Sequence, residues 1–376
     1  MAEIMIPKEL IFEIIHYFPL KTLLRFRCLS KQLYNEIVKA ILRPTKNTKT
    51  QHKLLYWDNN NTGLCVADFD DHEISTAIKL GNPLTPNDRF SKFCGSCNDL
   101  LLLSSTNQKH AKVLLWLLDP FTMEKKLVIP CPVDYYNRHH QVSNNNSSFG
   151  FGYDSINNRH KIVLIDWVDE SSYIHWNQVW VFHFASITWT KLTVPHWQCH
   201  KTINQIGVFS DNALHWLSCS PIDEVVTFDL SNEMFVKLIP SVPWKGACFP
   251  PYSRSLHVLG GNLVMFQVFL HHFKLSLALK NEEEQYTWIT LYNLNFELHP
   301  YGIETLLEVS KNGEKLLLVT CSGVFYWYDL EENTMVRIDS LRVPRAGASS
   351  CEKAAFVGKI VHHRQLTDQC DLMVLN

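Results

Sequence analysis

The stretch NDLLLLSS…LLWLLDPFTMEKKLVIP, Asn98 to Pro130, decides the fold, because its pattern returns further along the chain. Turn residues open it, an apolar strand follows, a second strand runs into a polar turn, and a third ends in a basic residue beside aliphatic ones. DNALHWLS…VVTFDLSNEMFVKLIP (Asp211 to Pro240) and NGEKLLLVT…VFYWYDLEENTMVRI (Asn312 to Ile338) repeat this order. Tyr153 to Pro195 is a longer copy, and degraded copies lie at Leu54 to Leu80 and Gly260 to Leu298. The internal spacing is kept: Asp229 to Lys237, Asp329 to Arg337 and His183 to Lys191 each span eight positions, and Asp119 to Lys126 spans seven. Copies recur roughly every 40–60 residues, the period of propeller blades. About six of them predict a large all-β, propeller-like domain. Two stacked open sheets are the other architecture with alternating strands, but they leave the turn-to-basic spacing unexplained.

Composition fits such a domain. Of 376 residues, 46% are hydrophobic and 19% charged, enough apolar surface for a small domain plus a large one. Aromatic residues reach 12%, with 11 Trp, which suits sheet packing and contact surfaces. A formal net charge of −2 provides no field for nucleic acid or an anionic membrane. The 11 cysteines are odd in number and mostly isolated, the pattern of thiols in a reducing compartment. Cys94 and Cys97 form a lone CxxC with no second pair at zinc spacing. Near the N-terminus, Glu3, Lys8, Glu9 and Glu13 interrupt any signal-peptide core. Ser255 to Phe273 is a poor membrane span, since it holds Gly260, Gly261, Asn262 and Gln267. A soluble protein of the cytoplasm or nucleus is expected.

The first forty residues read differently. Pro7 opens a helix carrying Leu10, Ile11, Ile14, Ile15 and Phe18. Pro19 ends it and starts a second with Leu20, Leu23 and Leu24. Ser30 caps a third, with Leu33, Ile37 and Ile41 on one face and Tyr34, Val38 and Leu42 beside it. Three short helices cannot enclose so many large apolar side chains. Part of the surplus is expected to face a partner, with Leu24 at a dry contact, because the polar, basic run from Arg43 to Lys53 reads as a linker. Packing on the larger domain is the alternative.

IPKELIFEIIHYFPLKTLLRFRCLSKQLYNEIV (Ile6 to Val38) resembles the F-box: Ile6-Pro7-Lys8-Glu9, Phe18-Pro19, Leu23 to Cys28 and Ser30-Lys31 match its signature in order, and Leu33 stands where the family usually has Trp. GSCNDLLLL, SFGFGYDSINNRHKIV, VWVFHFASITWTKL and GVFSDNALHWL resemble the F-box-associated, kelch-like domain of plant F-box proteins, including the S-locus F-box-like members. Kelch's double glycine occurs once, at Gly260-Gly261. The resemblance implies an α+β multidomain chain: a three-helix F-box over 1–42, a linker over 43–53, and a substrate-recognition β-propeller over 54–376. It further implies a Skp-type adaptor as partner and, through it, a cullin–RING ubiquitin ligase. The adaptor-binding residues would be Pro7, Leu10, Ile11, Ile14, Pro19, Leu20, Leu23, Leu24, Arg27, Leu29 and Leu33.

Signatures of catalysis are missing from the sequence. There is no phosphate-binding Gly-rich loop, no Gly-x-Ser-x-Gly and no His-Glu-x-x-His. Gly150-Phe151-Gly152 lacks the third glycine and the helix of a dinucleotide site, and reads as a strand under close backbone packing. The pairs His139-His140, His271-His272 and His362-His363 point to opposite faces of a strand. A non-catalytic adaptor without cofactor or metal is therefore expected, with a scaffold outside the ligase or a propeller enzyme as alternatives. The segments Pro132–Ser148, Trp167–Asn177 and Trp244–Arg254 hold the aromatic and arginine residues that make contact anchors on loops. The target-binding candidates there are Tyr135, Tyr136, Arg138, Trp167, Tyr173, Trp176, Trp244, Tyr252 and Arg254. For Trp176 and Trp244 the competing role is core packing between blades.

Overall fold

A computed structural model describes residues 10, 14–15, 17–26, 31–42, 50–57, 64–68, 78–79, 88–98, 100–107, 112–119, 125–134, 147–170, 173–193, 206–218, 224–236, 239–240, 251–280, 286–295, 303–310, 312–320, 324–342 and 356–361. Two helices, α1 (Leu20–Phe26) and α2 (Lys31–Leu42), precede a β domain. Leu10, Ile14 and Ile15 are also helical, and the rest of the expected first helix lies outside the described residues.

The β domain is a propeller. Five blades are made of strands consecutive in the chain: β4 (Asp88–Cys97), β5 (Leu100–Asn107), β6 (Lys112–Leu118) and β7 (Lys125–Asp134); β8 (Ser147–Asp154), β9 (Arg159–Glu170), β10 (Tyr173–His183) and β11 (Thr188–Leu192); β12 (Val208–Ser210), β13 (Ala213–Leu217), β14 (Glu224–Asp229), β15 (Met234–Phe235) and β16 (Ile239–Pro240); β17 (Ser253–Leu259), β18 (Asn262–Val268), β19 (His272–Lys280) and β20 (Tyr286–Asn295); β21 (Ile303–Val309), β22 (Lys315–Thr320), β23 (Val324–Asp329) and β24 (Met335–Arg342). A further four-stranded sheet forms differently. The late strand β25 (Phe356–Val361) pairs with β1 (Thr50–Trp57), which continues to β2 (Leu64–Asp68) and β3 (Ile78–Lys79). The repeats had predicted about six like blades and three helices. The described residues instead give five blades of consecutive strands, this composite sheet, and two helices. The repeat was also read one strand out of phase, since each copy began at a blade's second strand. The first strands contact one another in succession, β4 with β8, then β12, β17, β21 and β25.

Local chemistry explains the blades. Asp154, Asp229 and Asp329 each close a hairpin by accepting backbone N–H bonds from residues two and three further on. Four positions after each lies a residue at positive φ: Asn158, Glu233 and Asn333. These turns underlie the regular Asp-to-basic spacing. Gly150 and Gly152 lie in β8 where the neighbouring blade comes closest. A Cβ at Gly150 would stand 2.6 Å from the Trp216 ring, and one at Gly152 would stand 2.7 Å from Phe209. The expected close backbone packing is there, and Gly207 N–H donates to the Phe149 carbonyl across the same junction (2.7 Å). Between blades the faces interdigitate, for example Val163, Ile165, Val179 and Val181 against Leu214, Trp216, Val226 and Phe228.

Helix α2 is docked on this scaffold. Ile37, Val38, Ile41 and Leu42 are buried in one core with Phe266, Phe273, Leu275, Leu291, Tyr292, Leu316 and Tyr328 of the last two consecutive-strand blades. Tyr34 donates its hydroxyl to the Leu291 carbonyl, and the Asn262 amide reaches the Ile41 carbonyl near the C-terminus of α2 (3.5 Å). The helical module was expected to stand off behind a linker, but its third-helix stripe is covered by the chain's own propeller. At its far end, the proposed linker overlaps β1, which begins at Thr50.

Candidate functional site

Two surfaces carry the candidate site. The first is apolar and helical. Tyr17 and Phe18 N–H groups donate to the carbonyls of Ile14 and Ile15, ending one helical turn, and the Pro19 carbonyl accepts from Thr22 and Leu23 to start α1. This corner leaves large apolar groups in solvent. Ile14 is 46% exposed and Tyr17 88%, and Leu10, Phe18 and Phe26 are exposed too. The Phe18 and Phe26 rings meet edge to face at 5.6 Å. Of the sequence candidates for the adaptor, Leu10, Ile14 and Pro19 lie on this exposed side. Leu20 and Leu33 are half-buried against the chain's own core. Leu23 and Leu24 are buried within it, so the dry contact expected of Leu24 is made inside the molecule. Pro7, Ile11, Arg27 and Leu29 lie outside the described residues. Tyr17, Phe18 and Phe26 were missed as site residues, although all three stand in the quoted helical run.

The second surface is set by strand direction. Because neighbours within every blade are antiparallel, the first-to-second and third-to-fourth turns lie at one end of the propeller, and the second-to-third and blade-to-blade connections lie at the other. The first end holds short Asp-, Asn- and Gly-bearing turns. It is also the end met by α2, through Asn262, Glu314 and Glu331. The described parts of the three candidate segments, 132–134 with 147–148, 167–170 with 173–177, and 251–254, lie at the opposite end, here called the loop face. Tyr135, Tyr136, Arg138 and Trp244 lie outside the described residues. Trp167–Asn177 is no loop: β9 and β10 extend through it as a hairpin, with Trp167 opposite Trp176, Tyr173 opposite Glu170, and a bulge between Trp176 and Gln178. Tyr252 is 65% exposed on this face. Arg254 is likewise not on a loop; it pairs with Gln267 inside the β17–β20 blade.

Titratable groups elsewhere serve the fold. Burial lowers the pKa of His160, His215 and His257 to about 4, which keeps each ring neutral at pH 7. His215 Nδ1 lies 3.0 Å from the Thr227 hydroxyl. Lys39 on α2 reaches Glu36, Glu314 and Glu331, each at 3.5 Å. Burial alone would lower its pKa, but the three carboxylates outweigh that and raise it. Among the described residues, no three His, Cys, Asp or Glu side chains converge as metal ligands. No helix among them is long and apolar enough to cross a membrane.

The described residues thus form a helical module docked on a β-propeller, with an exposed apolar corner and a separate loop face. Family comparison makes this specific. The F-box domain profile matches residues 4–42 and the F-box associated beta propeller domain profile matches 53–362, so the chain belongs to the F-box proteins with an associated β-propeller. Its similar proteins include the Arabidopsis thaliana F-box protein CPR1, 22% identical over 88% of this chain and 83% of that one. A second Arabidopsis relative in the F-box class, At1g53550, is 24% identical over 90% and 86%. A third, At3g16210, is 27% identical over 62% of this chain, and that match spans 60% of the relative's length. The β-propeller domain of Cps50 (Swd1) from Myceliophteria thermophila aligns with 79% of this chain and 89% of that domain, at 11% identity and a TM-score of 0.44.

Proposed function

We propose that this protein is the substrate-recognition subunit of a Skp–cullin–F-box ubiquitin ligase, binding a target protein for ubiquitination and proteasomal degradation. The observation that supports this best is the exposed apolar corner of Leu10, Ile14, Tyr17, Phe18 and Phe26. The propeller buries the other apolar side of the module and leaves this corner uncovered, and a contiguous exposed apolar patch marks a contact surface. In this reading a Skp-type adaptor covers the corner, and the loop face presents the target through Tyr135, Tyr136, Arg138, Trp167, Tyr173, Trp176, Trp244, Tyr252 and Arg254. The protein acts by proximity in the cytoplasm or nucleus and performs no bond chemistry of its own, ubiquitin transfer belonging to the associated machinery.

Co-expression of the full chain with a Skp-type adaptor tests this. Ile14→Asp and Tyr17→Asp should each remove co-elution while leaving the melting temperature within about 1 °C, since exposed positions contribute little to folding. Retained binding by both variants, or no binding by the parent chain, would refute the assignment of this corner. Cullin capture through the bound adaptor then distinguishes a ligase subunit from an F-box scaffold acting outside the ligase.

A further inference from the structure

We infer that the loop-face end of the β17–β20 blade, on the side turned towards the β12–β16 blade, is a binding site for an oxyanion, a carboxylate or a phosphate. This rests on the adaptor reading for the anion's carrier, an acidic or phosphorylated side chain of the target. The site is one row of cross-strand neighbours. Arg254 on β17 pairs with Gln267 on β18, Gln267 with Lys274 on β19, and Lys274 with Asn293 on β20. Directly opposed residues point to the same face, with Cβ atoms about 5 Å apart. Two residues along each strand, towards the other end, that same face turns apolar: Leu256 and Met265 pack with Leu217 and Val225 of the neighbouring blade. The polar row therefore continues an inter-blade interface at the point where it reaches the loop face.

Gln267 has no exposed surface, yet neither its amide nitrogen nor its amide oxygen has a hydrogen-bond partner, and the nearby Ser276 hydroxyl is buried and unpartnered too. A buried unsatisfied amide costs stability, and such groups are rare without a ligand or a functional role. Here Gln267 is flanked in its own row by an arginine on one strand and a lysine on the other. Burial lowers the pKa of Lys274. Cationic donors beside an amide N–H and a hydroxyl suit an oxyanion, which accepts hydrogen bonds from all of them.

The test titrates the full chain with inorganic phosphate and with acetate at constant ionic strength, read by calorimetry and by thermal shift. We expect saturable binding that falls about tenfold or more in Lys274→Met and in Gln267→Met and survives in Lys274→Arg. Gln267→Met should melt at or above the parent temperature, because it removes an unsatisfied buried amide. Preference for phosphate identifies a phosphorylated residue as carrier, and preference for acetate an aspartate or glutamate. No saturable binding by the parent chain, binding unaffected by both Met variants, or a Gln267→Met chain that melts several degrees lower would each overturn the site. Adaptor co-elution is independent of this row, so failure of the ligase reading shows there and not here.

Discussion

Asp154 and Lys161 offer the sharpest test of how the blades are held together. Asp154 sits fully buried in the β8–β9 turn, with Lys161 Nζ 2.9 Å from its Oδ2 and the lysine side chain only 7% exposed. Lys161 also donates to the Leu230 carbonyl (2.6 Å) and contacts Glu233 (2.6 Å), both in the β14–β15 turn of the next blade. The Ser231 hydroxyl of that turn donates to Asp154 at 2.7 Å, and Asn157 Nδ2 donates at 2.7 Å. Removing one partner of a buried ion pair costs roughly 3–5 kcal/mol. Lys161 keeps Glu233 after Asp154→Ala, so the lower end applies, about 3 kcal/mol. For a chain of this length that lowers the melting temperature by about 4 °C. Lys161→Met should cost less, because Asp154 keeps its other donors. The double variant should lose about 1–2 kcal/mol less than the sum of the two.

The pH dependence carries its own sign. Burial pushes the Asp154 pKa up, but hydrogen bonds from Asn157, Ser231 and Lys161 outweigh it and hold the carboxyl well below its ordinary 3.8. A depressed folded-state pKa contributes stability that is fully present above the unfolded value and is lost as pH falls through the folded one. The gap between parent and Asp154→Ala melting curves should therefore stay constant from pH 7 to about pH 5 and narrow only below about pH 4. Additive single losses, or a gap that narrows between pH 7 and 5, would refute the inter-blade ion pair.

Three further outcomes are expected. Leu24→Ala should cost about 2–5 kcal/mol as a cavity in the shared core; loss of adaptor binding by Leu24→Asp would then accompany a collapsed melting curve, and a folded Leu24→Asp chain would contradict the burial. Lys39→Met should lower stability by about 1 kcal/mol, discounted because Glu331 is 71% exposed. With its folded pKa raised, the Lys39 contribution is complete below its unfolded value of 10.5 and is lost as pH rises through the folded one, so melting followed from pH 7 to 11 should show the gap narrowing only in the top of that range. Gly150→Ala forces a Cβ to 2.6 Å from the Trp216 ring and should lower the melting temperature by several degrees, while a neutral result would mean that the two blades can separate there.

What the sequence made legible was local. The Asp-to-basic spacing was visible because a side-chain carboxylate satisfying two backbone N–H groups fixes a hairpin over five residues, as at Asp229 and Asp329. The tight glycines were visible for a similar reason. The phase of the blades was not, because first strands such as SRSLHVL (Ser253–Leu259) and VFS (Val208–Ser210) are short or mixed in polarity. The pairing of β25 with β1 joins the two ends of the domain, and no pattern within either strand specifies such a distant partner. The α2 stripe was read correctly as apolar, but an apolar stripe looks the same whether a partner or the chain's own propeller covers it. Arg254 and Tyr252 were picked out as contacts, whereas Gln267 and Lys274 were passed over inside the apolar runs NLVMFQV and HFKLSLALK. A single polar residue in such a run is the signal that was available.

The docking of α2 constrains how the two surfaces work together. Ile37, Val38, Ile41 and Leu42 are all buried against the propeller, and each contributes roughly 1.5–3 kcal/mol on burial. Lifting the helix away would forfeit on the order of 6 kcal/mol or more before the Tyr34, Lys39 and Asn262 contacts are counted. A detached population would then be below about one molecule in ten thousand. The apolar corner is consequently held at a fixed distance and angle from the loop face, with the propeller itself as the spacer. In the proposed role, an adaptor on the corner and a target on the loop face are presented to one another from opposite ends of one rigid body. The reach between them is set by strand length and blade packing, and changes in the loop face can alter which target is bound without moving the adaptor.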